Sequence, residues 1–254
     1  MGTLFAGLIG IVAGFLVNYF SDVLPNQRKI GHPACPQCST NYSWKDYLLL
    51  SQCASCNAAR SWRTYIVLAS SFVFSIALWM APPVRMGYPL SLIVLTYLAV
   101  VIVIDLEYRL IMHMVSLAGL ILGVITGTMR YDLQTSLFGG LAGLLVMLAF
   151  YGFGILFARF RAHKMGHDDG EEALGFGDVT ISAVLGLMLG WPMILYGLMI
   201  GILAGGVISL LLVIFLMATR RYETMTVFTA YGPYLVFGAV ILYFPKFLSV
   251  LSGR

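Results

Sequence analysis

Two aspartates, Asp105 and Asp178, stand at the ends of apolar runs in a chain that carries little charge: 10% of its 254 residues are charged and 60% are hydrophobic. Asp105 closes the run Tyr97-Leu-Ala-Val-Val-Ile-Val-Ile-Asp, and Asp178 ends Gly175-Phe-Gly-Asp before a second apolar segment. An acid at a membrane boundary is costly and is usually paired, hydrated or functional. Two carboxylates at one depth can hold a water between them, one accepting its proton while the other donates to a carbonyl. Gly175 and Gly177 beside the second acid leave room for an extended peptide backbone to approach. Each acid also has a plain structural reading. Asp178 suits a helix N-cap, where its oxygen accepts free N–H groups and complements the helix dipole. Asp105 suits a solvated helix end, with Glu107 and Arg109 as hydrated neighbours.

The second chemical constellation is Cys35-Pro-Gln-Cys38 and Cys53-Ala-Ser-Cys56, which holds all four cysteines of the chain. Each pair forms a tight knuckle aiming two thiolates at one ion. Four sulfurs complete a tetrahedral zinc site with no open position, which is a structural site. Two disulfides or four free thiols are the alternatives, and a reducing compartment disfavours the disulfides. Residues 41–44 between the knuckles read as a short turn or ribbon. The segment 26–63 has little core of its own, so metal would supply much of its folding free energy. His32 lies nearby, but four cysteines already complete the site.

These residues must be positioned by membrane helices. Mean hydropathy is +0.91, and apolar stretches long enough to cross ~30 Å of hydrocarbon recur along the chain. The expected fold is an all-α polytopic membrane protein of about eight spans, near 3–24, 64–82, 88–105, 112–129, 135–158, 178–191, 193–217 and 227–244. The sixth runs through Gly190-Trp-Pro into the seventh, so seven stays open. The first span reads as a true helix and not a signal peptide, because no basic stretch precedes it and no small-residue cleavage site follows. With 26–63 placed inside, eleven of the 15 basic residues fall in inner segments, which puts both aspartates on the cytoplasmic side. The expected domains are a first helix over 1–25, a zinc-binding domain over 26–63 and a membrane domain over 64–254 carrying the acids.

Several features read more plainly. The loop Arg159–Gly177 holds His163, Lys164, His167, Asp168, Asp169, Glu171 and Glu172. It is a solvated connector in the plainer reading and an acidic rim for a basic peptide in the other. His113 either tunes Asp105 or is a polar helix end. Glycines such as Gly139, Gly140, Gly143, Gly201, Gly205 and Gly206 sit at spacings suited to close helix packing. The net charge of +4 reports topology, and no basic-aromatic pattern for nucleic acid appears. Phosphate-binding and nucleophilic-serine motifs are also missing.

Taken in order, these motifs resemble the type IV prepilin peptidases, membrane aspartyl proteases of the Gly-x-Gly-Asp class. Gly14-Phe-Leu-Val-Asn18 with Leu24-Pro25 resembles the end of that family's first helix, and the paired CxxC its cytoplasmic domain. Ile104-Asp105-Leu-Glu-Tyr-Arg-Leu-Ile111 resembles the segment around the first catalytic aspartate. Gly175-Phe-Gly-Asp178, with Ala183-Val-Leu-Gly186 and Leu189-Gly-Trp191, resembles the second, and Tyr231-Gly-Pro-Tyr-Leu235 the opening of the last helix. The resemblance implies that Asp105 and Asp178 are the catalytic pair, Gly175 and Gly177 lie near the substrate, and zinc sits on Cys35, Cys38, Cys53 and Cys56. It also implies cleavage of prepilin or pseudopilin leaders at the inner face of a bacterial cytoplasmic membrane. N-methylation from S-adenosylmethionine would follow in those members that have it. The chain departs from the family at Met112 and His113, where Pro-Asp is usual, at Thr180, where lysine is common, and at Asp22-Val23, where an arginine is usual. These changes touch the neighbours of the pair, where substrate preference and methyl transfer would be set.

Two rival readings stand beside this one. One is a transporter or scaffold whose acids bind a cation or proton, for which mid-span polar groups and matched broken helices would be expected. The other is a related intramembrane aspartyl protease with different substrates, typically without the double-CxxC loop.

Overall fold

A computed structural model describes residues 2–27, 29–83, 85–165, 175–219 and 230–245. Among these residues the regular elements are all helices, without strands. The helices are α1 (Gly2–Gln27), α2 (Trp44–Leu48), α3 (Trp62–Met80), α4 (Gly87–Tyr108), α5 (His113–Arg130), α6 (Leu133–Met165), α7 (Phe176–Leu189), α8 (Met193–Ala218) and α9 (Gly232–Tyr243). Six of them are long and apolar enough to cross a membrane, namely α1, α3, α4, α5, α6 (over Leu133–Phe157) and α8. Two more are apolar but shorter. At 1.5 Å per residue, the 14-residue α7 reaches about 21 Å and the 12-residue α9 about 18 Å, short of a full span. The protein is therefore a multi-pass membrane protein, and its eight apolar helices follow the eight expected spans. Gly190, at φ +70°, separates α7 from α8, which resolves the question left by Gly190-Trp-Pro. The expected 159–177 loop is shorter than its sequence implied. Helix α6 carries Arg159–Lys164 and continues to Met165, and residues 166–174 lie outside the described set, with His167 and the acidic residues of the loop among them.

The chain divides into two compact units, Met1–Ile104 and Asp105–Pro245. In the first, α1 lies against α3 along small residues. A Cβ on Gly10 would meet the Ser71 carbonyl at 2.7 Å, so only glycine admits this approach. The contact is tied by Ser75 Oγ donating to the Ala6 carbonyl at 2.6 Å and by Asn18 Nδ2 donating to the Thr64 carbonyl at 3.3 Å. Below it, Asp22 pairs with Arg63 and accepts from the Tyr47 hydroxyl at 2.7 Å. The acid that departs from the family pattern therefore joins α1 to the start of α3 and to α2 of the cysteine segment.

The second unit is built around α7. From Val179 to Leu189 its residues are buried nearly without exception, with α5, α6, α8 and α9 packed on it. A helix covered all round carries apolar residues on every face, and Val-Thr-Ile-Ser-Ala-Val-Leu-Gly-Leu-Met-Leu fits that rule. Its closest neighbour is α6. A Cβ on Gly186 would fall 2.2 Å from the Gly139 carbonyl oxygen, and one on Gly139 would fall 2.4 Å from the Gly186 oxygen. Because both obstacles are backbone, neither can swing aside. Gly186→Ala is therefore expected to cost about 2–3 kcal/mol, as overpacking does, read as a lower unfolding midpoint in detergent. Gly206→Ala, where a Cβ meets open space, is the control and should leave the midpoint unchanged or slightly raised. The large exposed side chains, such as Phe138, Leu141 and Leu145 on α6 and Leu203, Leu210 and Phe215 on α8, supply the surface that lipid covers.

Candidate active site

Three helix ends converge in the second unit: the C-terminal turn of α4, the N-terminus of α7 and the N-terminus of α9. Asp105 lies one turn before the end of α4. Its carbonyl accepts the Arg109 N–H at 2.9 Å, and Arg109 takes a left-handed conformation, φ +50°. That reversal closes the helix. It also carries the chain back so that Ile111 lies on Gly177, where a Cβ would come 2.8 Å from the Ile111 Cβ. Gly177 is thus the seat on which the segment after Asp105 rests. Among the described residues Gly175 has no such neighbour: the nearest atom to a Cβ there is Asp178 Oδ2, at 3.8 Å.

Asp178 is not the N-cap that its sequence position suggests. Gly175 holds that place in extended conformation (φ −77°, ψ 143°), and Asp178 is the third residue of α7. Its N–H donates to the Gly175 carbonyl at 3.0 Å, while the Gly175 N–H faces its carboxyl. This is half of a capping box, with the N3 acid reaching back to the N-cap N–H. The glycine at 175 leaves the side chain free of any cap side chain competing for it.

Both carboxyls are buried, with 5% of Asp105 and 7% of Asp178 exposed. They lie close enough for the charge at Asp105 to act on Asp178. The Gly232 N–H, in the first turn of α9, is directed at the Asp105 carboxyl, whereas Oδ2 of that carboxyl is buried with no hydrogen-bond donor on it among the described residues. Tyr231 lies within reach of the charge on Asp178, while its hydroxyl donates to the Ile202 carbonyl of α8 at 3.4 Å. Burying two acids side by side is expensive unless they are protonated, paired or put to use, and no lysine or arginine side chain is ion-paired with either of them among the described residues. The departure at Thr180 is absorbed locally: its hydroxyl donates to the Gly177 carbonyl at 2.8 Å and lies 3.2 Å from Ser116 Oγ on α5. His113, first residue of α5, is exposed, and Met112 before it is buried.

The cysteines form a separate cluster in the first unit. All four sulfurs lie within 4.8 Å of one another, with Cys35–Cys56 at 3.7 Å and Cys38–Cys53 at 3.5 Å. Four thiolates at 2.3 Å from one zinc stand about 3.8 Å apart, so the set fits a tetrahedral ion. The four are not bridged as disulfides. The two knuckles repeat one geometry. After each second cysteine comes a left-handed residue, Ser39 (φ +58°) or Asn57 (φ +52°), whose N–H returns to the carbonyl of the first cysteine at 2.9 and 2.8 Å. Burial works against a charge on Cys35, yet the N–H groups of Cys38 and Gln37 directed at its sulfur prevail and bring the thiol down to about 6. His32 packs by Trp44, at 5.8 Å between rings, and is no part of the cluster. Asn41 pairs with Ala34 in a single β-bridge and Trp44 opens α2. Arg60 lies over the Tyr42 ring at 3.8 Å and the Tyr47 ring at 4.5 Å, a packing that nothing in the cysteine spacing announced.

The segment that brings the acids together can be compared with known proteins. Residues 92–210 match the Type IV leader peptidase family. That stretch contains both aspartates, Gly175 and Gly177, and begins after the cysteine cluster. A curated relative, the prepilin leader peptidase/N-methyltransferase of Pectobacterium carotovorum subsp. carotovorum, is 30% identical over 173 residues, which is 67% of this chain and 55% of the relative. The chain thus spans about half the length of the leader peptidase it matches. No solved structure matches the chain.

Two site features escaped the sequence reading. Tyr231-Gly232 was visible only as a helix start, and its place against the acids depends on where α9 packs. Ile111 was one apolar residue among many. A Gly-Pro pair opening an apolar helix was the available signal for the first, and there was none for the second.

Proposed function

We propose that this chain is a membrane aspartyl endopeptidase that removes the leader peptide from type IV prepilins or pseudopilins, with Asp105 and Asp178 as its catalytic residues. The observation that carries the reading is that two buried carboxyls from separate helix ends come within reach of each other's charge, inside the stretch that matches the Type IV leader peptidase family. A water held between them gives its proton to one carboxylate as its oxygen attacks the scissile carbonyl. The other, protonated, acid donates to the carbonyl oxygen. Collapse of the tetrahedral intermediate breaks the C–N bond, and the proton taken from the water leaves on the amine. Gly175, on which no side chain of the described residues closes, is where extended substrate backbone would pass. Gly177 would stay near the substrate through Ile111.

The basic-residue bias supports a cytoplasmic face for this site in a bacterial inner membrane. There a basic leader would lie at the mouth while the apolar pilin helix enters from lipid. Cys35, Cys38, Cys53 and Cys56 would hold zinc, which supplies rigidity to the 26–63 domain between the first helix and the peptidase part. The relative's name includes N-methyltransferase, and methyl transfer from S-adenosylmethionine to the new N-terminus is the second step to look for.

The test is a cleavage assay with the full chain in detergent and a peptide joining a short basic leader to an apolar helix. The expected result is one cut at the junction, with label from S-adenosylmethionine appearing on the new amine if the second activity is present. A folded protein that leaves every such peptide intact would sink the proposal.

A further inference from the structure

We infer that Gly232, the first residue of α9, is the positioning residue for Asp105: its missing side chain makes the space the carboxyl occupies, and its N–H directs that carboxyl. The catalytic consequence rests on the function proposed above, whereas the contact itself does not.

The geometry is one of exclusion. A Cβ on Gly232 would fall 2.5 Å from Asp105 Oδ2 and 3.1 Å from its Cγ, closer than real Cβ atoms come. Asp105 is 5% exposed, so its carboxyl cannot escape into solvent and must turn away from its present direction. The Gly232 N–H that faces the carboxyl belongs to the first turn of a helix, where such groups lack intrahelical partners. Pro233 follows. It has no N–H to compete for the acid, and its fixed φ suits the start of a helix. The turn is held in place from behind, because a Cβ on Gly201 of α8 would lie 2.8 Å from the Tyr234 carbonyl. The residue before Gly232 is Tyr231, within reach of the charge on Asp178.

A glycine with only helical duty would be improved by alanine, the better helix former. Glycine at 232 is explained instead by what stands opposite it. Replacing it shifts a reacting group while leaving the substrate's binding surface intact, which separates kcat from KM.

Gly232→Ala should keep KM within about threefold of wild type and lower kcat by about 10²-fold, the scale expected for an ångström of misplacement. A melting cycle on the full chain in detergent checks the contact without any activity. In the wild-type background the added methyl meets the carboxyl and lowers the unfolding midpoint. In an Asp105→Gly background it enters the vacated space and raises the midpoint. Equal shifts in both backgrounds, or wild-type kcat in Gly232→Ala, would overturn the inference. Failure of the wild type to cut any prepilin-like peptide would overturn the proposed function, and the melting cycle would still decide whether Gly232 holds Asp105.

Discussion

Asp105→Asn and Asp178→Asn each abolish cleavage of a prepilin-like peptide, with kcat reduced by about 10⁴-fold, the upper range for loss of a general acid or base. Asparagine keeps the shape and the hydrogen bonds from Gly232 and Gly175 but can neither take nor give the proton. The two carboxyls work on one water, so their losses do not add. The double variant is expected to be no slower than either single one, as with other groups that act as a unit. Unfolding midpoints of the single variants should equal or exceed that of the wild type, because each replaces a buried acid, costly to ionise, with a neutral amide of the same shape. Cleavage retained in either single variant would assign the chemistry elsewhere.

Replacing Cys35 and Cys38 by Ser has the second large effect, and it falls on folding. Structural zinc in small cysteine sites supplies about 10–16 kcal/mol of apparent binding energy. The knuckles otherwise have one β-bridge, a five-residue helix and a small cluster of Cys35, Tyr42, Tyr47 and Cys53 to hold them. Metal analysis is expected to give about one zinc per wild-type chain and none in the variant. Limited proteolysis should then cut within 26–63 while the membrane helices stay intact. The same cut should follow treatment of the wild type with a strong chelator. A variant that keeps full zinc, or a loop that stays protease-resistant without it, would contradict this assignment.

The eight apolar helices were legible because hydrocarbon thickness turns composition into length. What composition could not supply was the role of the short sixth element. Its apolar run fits either a span or the core of the bundle, and only packing against four neighbours shows that α7 is enclosed. The cysteine pair spacing announced a tetrahedral set, and the sulfurs do gather within 4.8 Å. It was silent about Arg60 on its two tyrosines, since a stacked cation leaves no periodic trace. Asp178 fitted a helix start, but the local pattern placed it at the cap, and the structure moves it inward by three residues behind Gly175. That difference matters: from N3 the carboxyl meets the Gly175 N–H and still lies within reach of the charge at Asp105. From sequence, Gly177 reads as a residue that permits close approach and Gly232 only as part of a helix start. One proves to receive Ile111 and the other the Asp105 carboxyl, contacts set by tertiary packing and not by local propensity.

The convergence of the two acids can be tested directly by placing cysteines at both positions, Asp105→Cys with Asp178→Cys, in the zinc-loaded full chain. The pair is treated with a short bifunctional thiol reagent, and linked peptides are identified by mass spectrometry. The account predicts a link between positions 105 and 178. Two thiols that each react singly with the reagent, yet never join to one another in the folded protein, would contradict it.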